Sequence, residues 1–495
     1  RDVLGSRGLG DVYKRQKLVS FLPSERAQSV MAEGGINAAL NTKDENDSPE
    51  EHFTDTIKAA CGLADPNAVW GMTQAAPELV HWLLKLGVKF NMSGYDDVDL
   101  RNFGGQKKKR TAFAQSDTGK QIMTAMIDAV RRKEASGMVE RFSHHSFLTL
   151  RLCDNICCGC VIRDEYSQET VELPGDAVIV ATGGMHGLFG NTTGSLSNTG
   201  EVTAELFRLG VPLANGEMIQ YHPTTVKCGG KRMLISEAAR GEGGRLFAMK
   251  DGKQWYFMEE KYPELGNLMP RDITAREIWK VSHESEVFLD MTEISDEIIS
   301  NKLSGLADDC MTYLHKDIRK EPVSVLPGIH YFMGGILVDE QHRTPIQNLC
   351  AAGECCAQYH GANRLGGNSL LGALYGGRVA AKSACEQADV VDLSCATQID
   401  FPPASQISEI KQLNKVMQET MGVVRNENTL LNGIQTVQAL TGNLPLLGMA
   451  VLKSALARKE SRGAHWREDY PKSNDDDYLK TTVARFDGKQ IQLSL

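Results

Sequence analysis

Arg364 sits in an unusual setting, because residues 355–371 read Cys-Cys-Ala-Gln-Tyr-His-Gly-Ala-Asn-Arg-Leu-Gly-Gly-Asn-Ser-Leu-Leu. An obligate cation inside a Gly/Ala/Asn run can meet a ligand that approaches the backbone closely. The apolar helical pattern beginning at Ser369 would aim its first N–H groups at the same place, a second attraction for an anion. This is the chemistry of an anion site beside a cofactor; taken alone, the segment reads equally as a glycine-rich loop capping a helix, with a solvated arginine. Other reactive side chains are His222, His330, Arg271, Glu237 and Arg240. Glu237 and Arg240 are three residues apart and share one side of a turn if their segment is helical. A single histidine is more often structural than functional, and Arg271 also suits a helix N-terminus paired with Asp272 or Glu277.

The elements that must position these residues belong to a large, acidic chain. At 495 residues, with 41% hydrophobic, it should hold more than one domain and bury a large core. A net charge of −9 argues against a nucleic-acid surface, so the arginines read as local anion sites. No apolar run reaches the ~20 residues of a membrane span, and no signal peptide is visible, so any membrane association would go through a partner. The 12 cysteines, scattered through apparent strands and helices, point to reduced thiols in a cytoplasmic compartment. Cys153, Cys157, Cys158 and Cys160 are spaced closely enough for an iron–sulfur or zinc site, but residues 157–164 alternate like a strand, and ligands need loop geometry. Helical periodicity covers Ala75–Leu86 and Lys120–Arg132, and the apolar run Ala177–Val180 suits a buried parallel strand followed by Thr182-Gly183-Gly184. From about Ile407 to Lys480 the pattern is helical again, with Asn414–Met421, Val437–Leu440 and Met449–Ala457, after a linker at Pro402-Pro403.

Several spaced segments follow one another in a telling order: Ala-Glu-Gly-Gly-Ile-Asn-Ala (32–38), Val-Ala-Thr-Gly-Gly (180–184), Gln-Tyr-His-Pro-Thr (220–224) and Ser-Glu-Ala-Ala-Arg-Gly-Glu-Gly-Gly (236–244). Pro-Arg-Asp (270–272), His-Tyr-Phe-Met-Gly-Gly (330–335), Gly353-Glu354 and Glu-Ser-Arg-Gly-Ala-His (460–465) continue it. Together they resemble the flavoprotein subunit family of fumarate reductase and succinate dehydrogenase, from about Leu18 to about Ala484. The resemblance implies an α/β chain: an FAD-binding Rossmann-like domain over 17–222 and 330–395, an inserted α+β capping domain over 223–329, and a C-terminal helical domain over 400–485. Residues 1–16 match nothing in that family. The glycines at 5, 8 and 10 have the wrong spacing for a dinucleotide loop, so this stretch reads as a non-native scar standing where the first βαβ unit belongs.

The same resemblance implies FAD-dependent hydride transfer on a C4 dicarboxylate, with fumarate reduction favoured. Arg364 and His330 would hold one carboxylate, His222 and Ser236 the other. Arg271 would transfer the proton, with Glu237 and Arg240 as its relay. FAD would contact Ser29, Glu33, Gly34, Gly35, Thr182, Gly183, Gly184, Glu201 and Glu354, and Asn368, Ser369 and Leu370 at a helix N-terminus; no metal is implied. Gln28 replaces the histidine that bonds flavin in covalent members, so the FAD should be non-covalent. Thr199-Gly200-Glu201 stands where the family usually has Thr-Gly-Asp. Partners would be an iron–sulfur subunit and a membrane-anchor subunit, holding the protein peripherally on the cytoplasmic face of the inner membrane. Two other readings remain at this level. L-Aspartate oxidase shares the fold and the clamp, although residues 102–114 and 251–257 look closer to the membrane-complex flavoproteins. An inactive fragment or electron-transfer scaffold is the other.

Overall fold

A computed structural model describes residues 15–95, 97–387, 399, 401 and 406–495. The glycines at 5, 8 and 10, Pro402-Pro403 and the boundaries expected at 395 and 400 lie outside the described residues. In chain order, the strands that matter for the site are β1 (Gln16–Ser20), β2 (Val139–Ser143), β3 (Val178–Val180), β4 (Ile219–Cys228), β5 (Leu326–Phe332) and β6 (Leu349–Ala351). The helices are α1 (Pro66–Leu86), α2 (Glu237–Gly241), α3 (Arg271–Val281), α4 (Asn368–Gln387), α5 (Ile407–Thr420), α6 (Glu427–Val437) and α7 (Asn443–Ala457).

Helix α1 shows how local chemistry fixes an element. The Asp65 carboxylate accepts the free N–H groups of Asn67 and Ala68, Pro66 supplies a preset φ, and Gly87 ends the helix at φ 101°. Val69, Met72, Ala76, Leu79, Val80 and Leu83 recur at helical spacing and are buried. Most of them join a core that also holds Ile36 and Leu371. The stretch predicted at Ala75–Leu86 is the second half of α1, and Lys120–Arg132 lies inside the helix Thr118–Ala135.

β1 pairs with β2 and β3 with β6, both in parallel. Ile179 is 38% exposed, against the expectation of a fully buried strand, because β3 has a partner on one side only among the described residues. Residues 245–324 form a four-stranded antiparallel sheet packed on α3, with Leu246, Ala248, Ile278, Val287 and Leu289 in its core. β4 and β5 run antiparallel beside it in a separate sheet. Cys157, Cys158 and Cys160 lie on the strand Ile156–Asp164, as the alternation predicts. Cys153 is disulfide-bonded, which corrects the expectation of uniformly reduced thiols at that position. Among the described residues no helix is long and apolar enough to cross a membrane.

Helices α5, α6 and α7 form the C-terminal bundle. The apolar pair at Val437 and Leu440 ends α6 rather than forming a helix of its own. The chain closes with a hairpin, Val483–Phe486 and Ile491–Ser494, that the helical periodicity does not reveal; it extends the sheet carrying Leu213–Ala214. Glu-Ser-Arg-Gly-Ala-His folds into buried ion pairs: Arg458 Nε donates to Glu217 at 2.7 Å and Nη1 to Glu460 at 2.9 Å, and Arg462 forks onto Glu460. Farther from it, Arg110 is fully buried between Asp47 at 2.8 Å and Asp55 at 2.9 Å. Removing the cation from two buried carboxylates should be severe. Arg110→Leu is expected to cost about 3–5 kcal/mol in denaturant unfolding; a loss under about 1 kcal/mol would show that Asp47 and Asp55 find other partners.

Candidate active site

Two strands and one proline bring the histidines together. β4 and β5 pair with register shifts at Gln220/Tyr221 and between His222 and Thr225. Pro223 lies in the second shift, where it cannot donate to the ladder. The displaced backbone sets the His222 and His330 rings 5.1 Å apart, edge to face. Both imidazoles are held well below their ordinary pKa, first by burial and then by the Arg271 guanidinium. They are therefore neutral, each with one N–H to give.

Above them the cations converge. Ser236 caps α2 by accepting the Ala238 N–H, which places Glu237 and Arg240 on one turn, 3.4 Å apart. Pro270 opens α3 and presents Arg271, whose Nε and Nη2 reach the Glu237 carboxylate at 2.8 and 2.6 Å. Glu237, and neither Asp272 nor Glu277, is the partner of Arg271. Burial raises the Glu237 carboxyl, but Arg271 and Arg240 outweigh it and hold it below the usual range. Arg271 Nη1 also donates to Gln220, whose Nε2 donates to the Arg364 carbonyl at 2.8 Å. Gln220 thus ties the two arginine segments together. Arg364, 3% exposed, stacks over Tyr331 at 4.3 Å, and its Nε has no partner. Burial and Arg271 push its pKa down to about 9. Among the described residues Arg240 Nε has no hydrogen-bond partner, while its Nη2 faces Glu237 at 3.4 Å. Unpartnered guanidinium N–H groups beside neutral imidazoles are suited to a bound dianion.

The expected flavin residues divide into three groups. Asn368, Ser369 and Leu370 open α4 after Gly366 and Gly367. Asn37 Nδ2 grips the Gly366 carbonyl and Asn368 Oδ1, both at 2.7 Å, and the same Oδ1 accepts from His52 at 2.9 Å. A Cβ on Gly367 would lie 2.1 Å from Asn37, so only glycine fits. Thr182 is exposed at the end of β3, followed by Gly183 at φ 73° and Gly184 against Glu354, which accepts the Phe332 N–H. Gly34 and Gly35 lie near Phe103 and Ala112, and Ser29 lies in a short turn whose carbonyl meets Gly119. Glu201 stands apart, exposed at a helix start with its carboxyl facing Arg163 and Glu165.

Glu33 is placed against the capping segment. Burial and Asp309 push its carboxyl up to about 8, against Arg101 and a hydrogen bond from Ser236. The residues present fit the ring end of FAD: glycine cradles that a Cβ would fill, a helix N-terminus, and the unpartnered Arg364 Nε and His186 Nε2. Gln220, Asn37, His52 and Thr193 escaped the sequence reading as functional residues, although Gln220 and Asn37 lie inside quoted motifs.

A family profile described as an FAD binding domain matches residues 14–370, and one described as fumarate reductase flavoprotein C-term matches 441–495. The chain is 38% identical to the succinate dehydrogenase flavoprotein subunit of Bacillus subtilis, covering 95% of this chain and 89% of that protein. It is 31% identical to the 8-methylmenaquinol:fumarate reductase flavoprotein subunit of Wolinella succinogenes, covering 95% and 84%. Among solved structures, a variant of E. coli quinol fumarate reductase FrdA superposes with a TM-score of 0.87 at 27% identity, covering 97% of this chain and 91% of that one.

The Glu33 carboxyl gives a pH test. The folded state keeps this proton up to about pH 8 while the unfolded chain loses it near 4.5, so Glu33 lowers stability progressively as pH rises through that window. Glu33→Gln should therefore stabilise the protein by about 1 kcal/mol or more at pH 8.5 relative to its effect at pH 5. Equal thermal shifts at both pH values would mean that Glu33 is not protonated in the fold.

Proposed function

Because the chain belongs to the succinate dehydrogenase and fumarate reductase flavoprotein family, we propose that its histidine–arginine site binds a C4 dicarboxylate and favours fumarate reduction. It is an FAD-dependent oxidoreductase of that family. The observation that carries the substrate reading is the convergence of Arg271, Arg364 and two neutral histidines with Glu237 as their shared counter-charge. In this reading Arg364 and His330 hold one carboxylate, and His222 and Ser236 the other. FAD, when bound, supplies the hydride.

Arg271 is the proton donor of the proposal. Its Nε and Nη2 are spent on Glu237 and Nη1 lies on Gln220, so Glu237 is placed to return a proton to the same guanidinium. Arg240, on the same turn as Glu237, continues the route. We assign FAD contacts to Gly34, Gly35, Ser29, Glu33, Thr182–Gly184, Glu354 and Asn368–Leu370, with Glu201 farther from the ring, within the division 17–222 and 330–395, with 223–329 as cap and 400–485 as helical domain. An iron–sulfur subunit and a membrane-anchor subunit are the proposed electron partners, with peripheral attachment to the cytoplasmic face of the inner membrane. The relatives named above are succinate dehydrogenase and fumarate reductase flavoprotein subunits rather than L-aspartate oxidases or electron-transfer scaffolds.

Gln28 supports non-covalent flavin. Its Oε1 accepts the Ser195 N–H, and an amide nitrogen is not nucleophilic enough to attack a flavin methyl carbon. Acid-denatured holoenzyme passed through a filter should release all its yellow colour; flavin retained on the polypeptide would refute this. Arg271→Ala should lower fumarate turnover with reduced viologen by about 10²–10⁴-fold at unchanged flavin content. Turnover within threefold of wild type, or faster oxidation of L-aspartate by oxygen, would overturn the assignment.

A further inference from the structure

His330 has a second neighbour outside the clamp. Thr193 Oγ1 lies 2.8 Å from His330 Nδ1 and 3.4 Å from the Ile329 carbonyl. We propose that Thr193 is a positioning residue that fixes the tautomer of His330, donating to Nδ1 so that the ring presents Nε2–H to the dicarboxylate. The inference rests on the reading of His330 as a carboxylate ligand.

A neutral imidazole carries one N–H, and which nitrogen bears it is decided by the hydrogen bond at the other. A threonine hydroxyl likewise has a single proton. Of its two acceptors, the imidazole nitrogen at 2.8 Å is within the normal range and the carbonyl at 3.4 Å is near its limit. With the hydroxyl proton on Nδ1, the ring proton must be on Nε2. The opposite tautomer would turn a lone pair toward a substrate carboxylate, replacing an attraction by a repulsion. His330 is buried beside Arg271 and Arg364, which keep it neutral, so no second ring proton removes the choice.

The loop that carries Thr193 is pinned on every side. The Thr193 N–H donates to the Ile329 carbonyl at 3.0 Å, and Arg232 N–H to the Thr192 carbonyl at 3.2 Å. Thr192 Oγ1 accepts the Gly194 N–H and faces His186 Nδ1 at 3.0 Å. The Ser195 N–H goes to Gln28 Oε1. Thr193 is therefore not free to follow His330 if the ring turns. Among the described residues His222 has no such hydroxyl from another element; its Nδ1 meets Thr224, on its own strand.

Thr193→Val removes the hydroxyl at nearly constant volume and Thr193→Ser keeps it. In the FAD-loaded protein, malonate affinity read from flavin absorbance should weaken at least about fivefold in T193V, the scale of one lost hydrogen bond, and stay within twofold in T193S. Histidine 15N spectra should show His330, identified by its absence in His330→Gln, as the Nε2–H tautomer in wild type and as a mixture in T193V. Lost affinity in H330Q with wild-type affinity in T193V would overturn the role of Thr193 alone. Unchanged affinity in both would overturn the reading of His330 as well. Should T193V not fold, the wild-type spectrum still decides: an Nδ1–H tautomer refutes the proposal.

Discussion

The site depends on one electrostatic constraint: Arg271 and Arg240 are buried around a shared carboxylate, Glu237, with Arg364 buried beside Arg271. Buried guanidinium groups are costly unless paired and hydrogen-bonded. Glu237 answers part of that cost, receiving two N–H groups from Arg271 and the Gly104 N–H at 3.0 Å. What Glu237 leaves unanswered, chiefly on Arg364, is the affinity the protein holds in reserve for an anion. Burial, reinforced by the same field, keeps both histidines neutral, so they act as directional donors rather than as further charge.

Holding that arrangement requires backbone that does not relax. Pro223 shifts the register of β4 against β5, the Ser236 cap starts α2 where Glu237 is needed, and Pro270 starts α3 at Arg271. Beneath the Arg364 loop, Asn37, Gln106, Thr111, His52 and Thr56 form a buried polar lattice that grips Gly366 and Asn368. Such a lattice is stabilising only when its members are satisfied, and it specifies one geometry for the turn into α4.

The residues legible in the sequence were those whose chemistry is rare in a core. His222, His330, Arg271, Glu237, Arg240 and Arg364 stood out within spaced motifs, and the structure brings them together. The supporting amides and hydroxyls did not stand out. Asn37 meets Asn368 across 331 residues, and Thr193 meets His330 across 137. Asparagine and threonine are common in loops for local reasons, so neither type nor spacing marks a long-range partner. Helices were read well where one apolar face repeats, as in α1. The closing hairpin was missed because Val483–Phe486 and Ile491–Ser494 are only four residues each, and their place is decided by the strand Leu213–Ala214, far away in sequence.

Contacts of that span bear on how the molecule comes into being. Glu217, a few residues before β4, is held by Arg458 after α7, 241 residues later, and Arg462 reaches back to the Cys61 carbonyl across 401. A chain emerging from synthesis can form α1 and the antiparallel sheet early, since their contacts are local. The strand that carries His222 needs residues up to Phe332 for its partner, and its approach at Glu217 gains its Arg458 anchor only after α7 has been made, because loop closure over such distances is entropically deferred. The reactive groups can thus meet before the buried ion pairs that brace the segment leading into them.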